Sequence, residues 1–300
     1  MNSRNFAFLL AFLAAIIYGI SFTVAKEVMP LYVKPYGFIL LRVTGGTILF
    51  WFVGLFIKKE KISLSDYPRV LLASIFGIAL NMLTFFKGLS MTTPISASVI
   101  MVTTPIIVLT LSAFILKEKA TKRKLAGIFV GMFGAILLIS YGNEIGDSSN
   151  AVLGNILVFI NAISYALYLI LIKNLTKKYH PLTLAKWLYL FGLFFVIPFG
   201  IQEFNEVHWN NLPISVFYKI GFIIVFTTFL AYSFNIIAIR KLKPTTLSIF
   251  IYLQPVLATT YALIVGSDVL TKVKILATIL IFMGVYLVSY NPKRWKGRPK

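Results

Sequence analysis

Thr121-Lys122-Arg123-Lys124 returns 150 residues later as Thr271-Lys272-Val273-Lys274. Working outward from these two stretches, the same offset keeps matching. An acid precedes each, Glu118 and Asp268, and a glycine follows each, Gly134 and Gly284. Further upstream Pro105 pairs with Pro255, and Pro94 with Pro244. Identity elsewhere along the offset is low. The matches nevertheless fall on proline, glycine and charged positions, where residue type sets backbone geometry and topology. The chain reads as a duplicated module, and in so hydrophobic a sequence duplication points to membrane proteins built from repeats.

Composition sets the class. Of 300 residues, 59% are hydrophobic and 13% charged, and the mean hydropathy is +0.88, well outside the soluble range. Apolar runs of about 20 residues leave no room for a separate globular domain. A net charge of +20 would suggest nucleic acid in a soluble chain. Here Lys and Arg lie mostly in short connectors, so they report topology and no nucleic-acid partner is expected. There is no cysteine, hence no disulfide and no thiolate nucleophile. Both histidines, His180 and His208, fall in connectors, so neither a metal site nor a cofactor is expected. The N-terminal run is too long for a signal peptide and reads as the first membrane helix.

Ten apolar stretches are expected to span the bilayer: 6–25, 36–57, 70–90, 95–116, 124–141, 152–172, 183–201, 215–237, 245–265 and 274–290. Alternate connectors carry the positive charge, from Lys58, Lys59, Lys61 and Arg69 through to Arg240, Lys241, Lys243 and the basic tail. Glu144, Asp147, Glu203 and Glu206 lie in the opposite set. The positive-inside rule then puts both termini in the cytoplasm of a multi-pass inner (plasma) membrane protein. Lys272 and Lys274 break the rule, as second copies of Lys122 and Lys124. Five spans per half is an odd number, so the halves enter the membrane upside down relative to each other. The expected fold is an all-α integral membrane protein of ten transmembrane helices, in two inverted five-helix repeats at 1–145 and 150–292.

Some motifs carry a resemblance. The first span holds Tyr18-Gly19-Ile20-Ser21-Phe22 and ends in Lys26; the second holds Leu40-Leu41-Arg42. The fourth ends in Leu116-Lys117-Glu118, before a fifth with Gly127, Gly131 and Gly134. In this order, across nearly the whole chain, they resemble the EamA-type members of the drug/metabolite transporter superfamily. The chain departs from that pattern at Tyr18, where the family commonly has Trp, and at Lys87, where a small or aromatic residue is usual. The resemblance implies ten helices, an inverted repeat, and export or exchange of amino acids or other small metabolites across the inner membrane.

Polar groups inside hydrocarbon need partners, so their positions suggest a pathway. Pro105, next to Thr104, and Pro255, next to Gln254, are expected to free the carbonyls of Met101 and Ile251 near the midplane. Asn161, Tyr165 and Tyr168 share one face of the sixth span, and Tyr18 and Ser21 occupy the related face of the first. Asn81 and Thr84 form a polar stripe on the third, as do Thr228, Tyr232 and Asn235 on the eighth. These residues are candidate substrate contacts; the alternative is that their amides and hydroxyls join helices to one another. Lys26, Arg42 and Lys87 share the outer half and are candidate anion contacts, with snorkelling the competing reading. Gly127, Gly131 and Gly134 permit close helix contact, either within the bundle or at a homodimer seam.

An intramembrane enzyme would need a nucleophile with its base, paired acids or a metal site. No HExxH or GxSxG occurs, and no carboxylate lies inside an expected span. No phosphate-binding GxxxxGK[ST] loop occurs either, which excludes ATP coupling within this chain. The reading left is a transporter of a small polar solute in contact with membrane lipid, or a passive channel.

Overall fold

The computed structural model describes residues 3–57, 60–116, 122–141 and 148–289. These residues are overwhelmingly helical, as hydrocarbon demands of a backbone that must satisfy its own hydrogen bonds. The helices are α1 (Ser3–Val28), α2 (Pro35–Gly54), α3 (Leu64–Met91) and α4 (Pro94–Met101 with Thr104–Leu116). Next come α5 (Lys122–Tyr141), α6 (Ser148–Lys178) and α7 (Pro181–Asn205). Last are α8 (Ile214–Lys241), α9 (Pro244–Ile264) and α10 (Lys272–Ser289). Among the described residues, eight helices are long and apolar enough to cross a membrane, all except α5 and α10. Prolines open α2, α4, α7 and α9, where the missing N–H would have no helical partner anyway.

Several expected boundaries move. α2 ends at Gly54 rather than 57, and α6 runs from Ser148 to Lys178, well past 172. α4 is not one rod: Val102 and Thr103 interrupt it, their N–H groups bonding back to Val99 and Ile100 in tighter turns. α9 carries the corresponding tight segment at Ser248–Tyr252. Two more irregularities have no proline to announce them. α3 widens into a π-turn at Ile75–Ala79, and α8 does so at Ile223–Leu230. Glu118, Glu144 and Asp147 lie outside the described residues, as does the tail beyond Ser289.

The strongest packing joins early helices to late ones. α1 packs on α8 and α9, α2 on α7, α3 on α6, and α5 on α10; α4 lies against α6 and α9. The α5–α10 contact is close enough to require glycine. A Cβ on Gly284 would run into the backbone of Gly131 and Gly127. This glycine face is therefore used inside the chain.

Helix ends gather on two faces, each tied by side chains to backbone. On one face Lys26 Nζ donates to the carbonyls of Leu89 (3.0 Å) and Ser90 (2.7 Å) at the end of α3. There too Glu203 accepts from the N–H groups of Tyr36 and Gly37 that open α2, and Asp268 accepts from Ile95 N at the start of α4. Lys274, the lysine at odds with the charge rule, is buried in an ion pair with Asp268 at 2.8 Å and also donates to the Val269 carbonyl. Its charge is paired by Asp268 of the preceding connector, whereas Lys272, the other exception, is exposed. On the other face Lys173 Nζ donates to the carbonyls of Ile239 (2.6 Å), Arg240 (3.3 Å) and Leu242 (2.7 Å) at the end of α8. Lys178 and the Tyr179 hydroxyl hold Asp66 on this face.

Candidate functional site

The irregular helices surround a cavity of about 90 Å³, several times the ~10–15 Å³ that one water requires. Gly77 and Thr227 face it from the two π-turns, and Met101 and Ile251 from the two tightened segments. Each pair is separated by 150 residues. α1 adds Tyr18, Ser21 and Phe22, α2 adds Arg42, and α3 adds Asn81, Met82, Phe85 and Phe86. Asn161 and Tyr165 come from α6, Tyr232 from α8 and Gln254 from α9.

Arg42 is the charged residue of this lining and is 6% exposed. Its Nε donates to Thr228 Oγ1 at 2.5 Å, and its guanidinium lies 4.7 Å from the centre of the Phe86 ring. Among the described residues no carboxylate forms an ion pair with it. A hydroxyl and a ring face leave most of its five donors unused. A buried cation so placed favours an anion brought from outside.

Asn161 of α6 adds polarity to the lining. Its Nδ2 donates to the Asn81 carbonyl at 2.7 Å, so the amide does join α6 to α3. Its Oδ1 is buried without a donor, and so is Thr227 Oγ1. Both residues line the cavity, where a solute could supply the missing hydrogen bonds. The rest of the wall is largely aromatic and aliphatic, as in most small-molecule sites.

Of the expected contacts, the cavity brings together Tyr18, Ser21, Arg42, Asn81, Asn161, Tyr165, Tyr232 and Gln254. It leaves out the rest. Thr84 turns its hydroxyl back to the Leu80 carbonyl in its own helix, and Thr104 is buried away from the lining. Pro105 and Pro255 shape the wall without forming it. Beside Pro255 the Leu253 N–H turns back to the Phe250 carbonyl, in a tighter turn than a regular helix makes. Tyr168 packs its ring on Tyr165 and Tyr232 and fills the space beside Gly77. Asn235 stands beside the Tyr18 hydroxyl. Of the three candidate anion contacts, Arg42 alone lines the cavity. Lys26 caps α3 and Lys87 lies over the Tyr36 ring at 5.5 Å.

Sequence reasoning missed Thr227 and the phenylalanines of α1 and α3. Thr227 was within reach, because it stands 150 residues after Gly77, which lies one turn before Asn81 on the third span. Phe22, Phe85 and Phe86 carry no comparable signal in a chain with 27 phenylalanines.

The family model described as "EamA-like transporter family" matches residues 5–140 and matches again over 152–290. A Bacillus subtilis protein named "Uncharacterized transporter YyaM" is 28% identical over 78% of this chain and 76% of its own length. An Archaeoglobus fulgidus protein named "Uncharacterized transporter" is 26% identical over 96% of this chain and 98% of its own. A solved crystal structure, 17% identical, has a TM-score of 0.65 over 95% of this chain and 98% of that one. That likeness concerns the fold alone.

Proposed function

Since the chain belongs to the EamA-like transporter family, within the drug/metabolite transporter superfamily, we propose that it exports or exchanges a small polar metabolite by alternating access, and that this solute is an amino acid or a related carboxylate. The observation that carries the solute class is Arg42, a buried guanidinium on a cavity with no described carboxylate paired to it. A substrate carboxylate would occupy the unused donors, and bidentate pairing would favour it over a neutral amide.

The same proposal includes ten spans arranged as two inverted repeats in the inner membrane, with both termini in the cytoplasm. Three observations support that architecture. The family model matches the chain twice. The π-turns and the tightened segments recur at matched positions of the two halves. The packing is reciprocal, with α1 on α8 answered by α6 on α3. No described acid lines the cavity, and a buried carboxylate is the usual proton carrier of a transporter. The proposal therefore takes flux to be driven by the solute's own gradient.

Counterflow in proteoliposomes tests the reading. Liposomes preloaded with one amino acid should take up its labelled form far faster than empty ones, with a proton ionophore present. Arg42→Gln should lower that uptake at least tenfold, and the matching decarboxylated amine should not compete. A passive channel would show no stimulation by internal solute. Undiminished uptake by Arg42→Gln would remove the carboxylate assignment.

A further inference from the structure

We propose that Lys26 and Lys173 are matched gate latches, one closing each mouth of the cavity, and that transport proceeds by releasing them in turn. The proposal rests on the transporter reading and adds how access is controlled.

Each lysine reaches from the first helix of its half to the end of the third. Lys26 of α1 holds the carbonyls of Leu89 and Ser90, and Lys173 of α6 holds those of Ile239 and Arg240. The acceptors are 150 residues apart, the offset of the repeat, while the lysines are not. The geometry is thus conserved between halves although the sequence register slips. Two lysines arriving at equivalent carbonyls from different positions point to a required contact.

The ties cross the cavity. α1 packs chiefly on α8 and α9, and α3 packs chiefly on α6. Lys26 joins these two groups at one face, and Lys173 joins them at the other. Towards each latch an aromatic pair that bridges the same two helices contributes to the cavity wall. It is Phe22 with Phe85 at 5.3 Å on the Lys26 side, and Tyr168 with Tyr232 at 5.9 Å on the Lys173 side. Each mouth thus has an ammonium at its rim and a ring contact beneath.

The chemistry suits a contact that must break. Both ammonium groups bind bare carbonyls at a helix C-terminus, where the dipole favours a cation. Neither forms an ion pair with a described carboxylate. Water can replace carbonyls around an ammonium as a mouth opens, and helix ends exposed to water are satisfied by it. Asp268 and Lys274 are a different case: they stand six residues apart, in a connector and the first turn of the helix after it, and can move together without separating.

The test uses the absence of cysteine. A single cysteine replaces Ser21 on the cavity wall, and a membrane-impermeant maleimide is applied separately to each face of reconstituted vesicles of known orientation. Lys26→Met should raise labelling from one face at least threefold and not from the other. Lys173→Met should do the reverse, and the Arg variant at each position should stay near the parent. The opposite sidedness of the two variants carries the proposal, and the face at which Lys26→Met acts gives the orientation. Labelling that rises equally from both faces would show a loosened fold and overturn it. So would no change from either face. Should a Met variant fail to accumulate, the Gln variant gives the same reading. Labelling needs no substrate, so a failure of the solute assignment leaves this result intact.

Discussion

Two buried cations show how residue type and surroundings decide a role. Lys274 and Asp268 have side chains only 3% and 2% exposed and meet at 2.8 Å. Removing one member of such a pair strands the other and costs about 3–5 kcal/mol. Lys274→Met should therefore lower the unfolding midpoint in detergent sharply, and Asp268→Asn added to it should restore most of the loss. A Lys274→Met protein as stable as the parent would show that the pair is incidental. Arg42 has no such partner among the described residues, which is why a solute is assigned to it. Both residues were visible in the sequence, but their roles were not. Arg42 stood out as a charge inside an apolar run. Lys274 looked like an error of topology, because a contact six residues upstream is invisible to a rule that counts charges. Lys87 and Lys26 lie off the cavity lining for a related reason: depth along a helix says nothing about direction around it.

At the scale of elements, the four broken helices set the cavity wall. Two breaks were legible, since proline removes a backbone donor and crowds the preceding turn. Two were not, because a π-turn is an extra residue in the helix and no residue type marks it. The tightening beside the prolines also eluded sequence reasoning, which expected freed carbonyls but not the shorter-range bonds of Val102, Thr103 and Leu253. Regular helix is the lower-energy state once proline is gone. Pro105→Ala and Pro255→Ala should keep the fold and melt within a few degrees of the parent, while the exchange rate falls several-fold. The comparison of melting and counterflow decides the matter. Unchanged exchange in both variants would reduce the breaks to packing detail.

For the whole molecule, helix type and the position of most helices followed from hydropathy alone, because hydrocarbon tolerates so few backbone solutions. Which helix packs on which did not follow from it. That pairing has a consequence for how the protein is made. α1, α2, α3 and α5 all find their main partners in helices synthesised much later. At about 5–20 residues per second, the first half waits roughly eight to thirty seconds for the second. During that interval the glycine face of α5 and the polar groups of α3 have only lipid or transient company. Residues 3–141 expressed alone should therefore be cleared by membrane proteases, and co-expression with residues 148–300 should rescue both pieces as a purifiable complex. A stable first half would contradict this. The chain is in effect assembled from two interlocked clients of the insertion machinery, and its most vulnerable moment precedes the synthesis of α10.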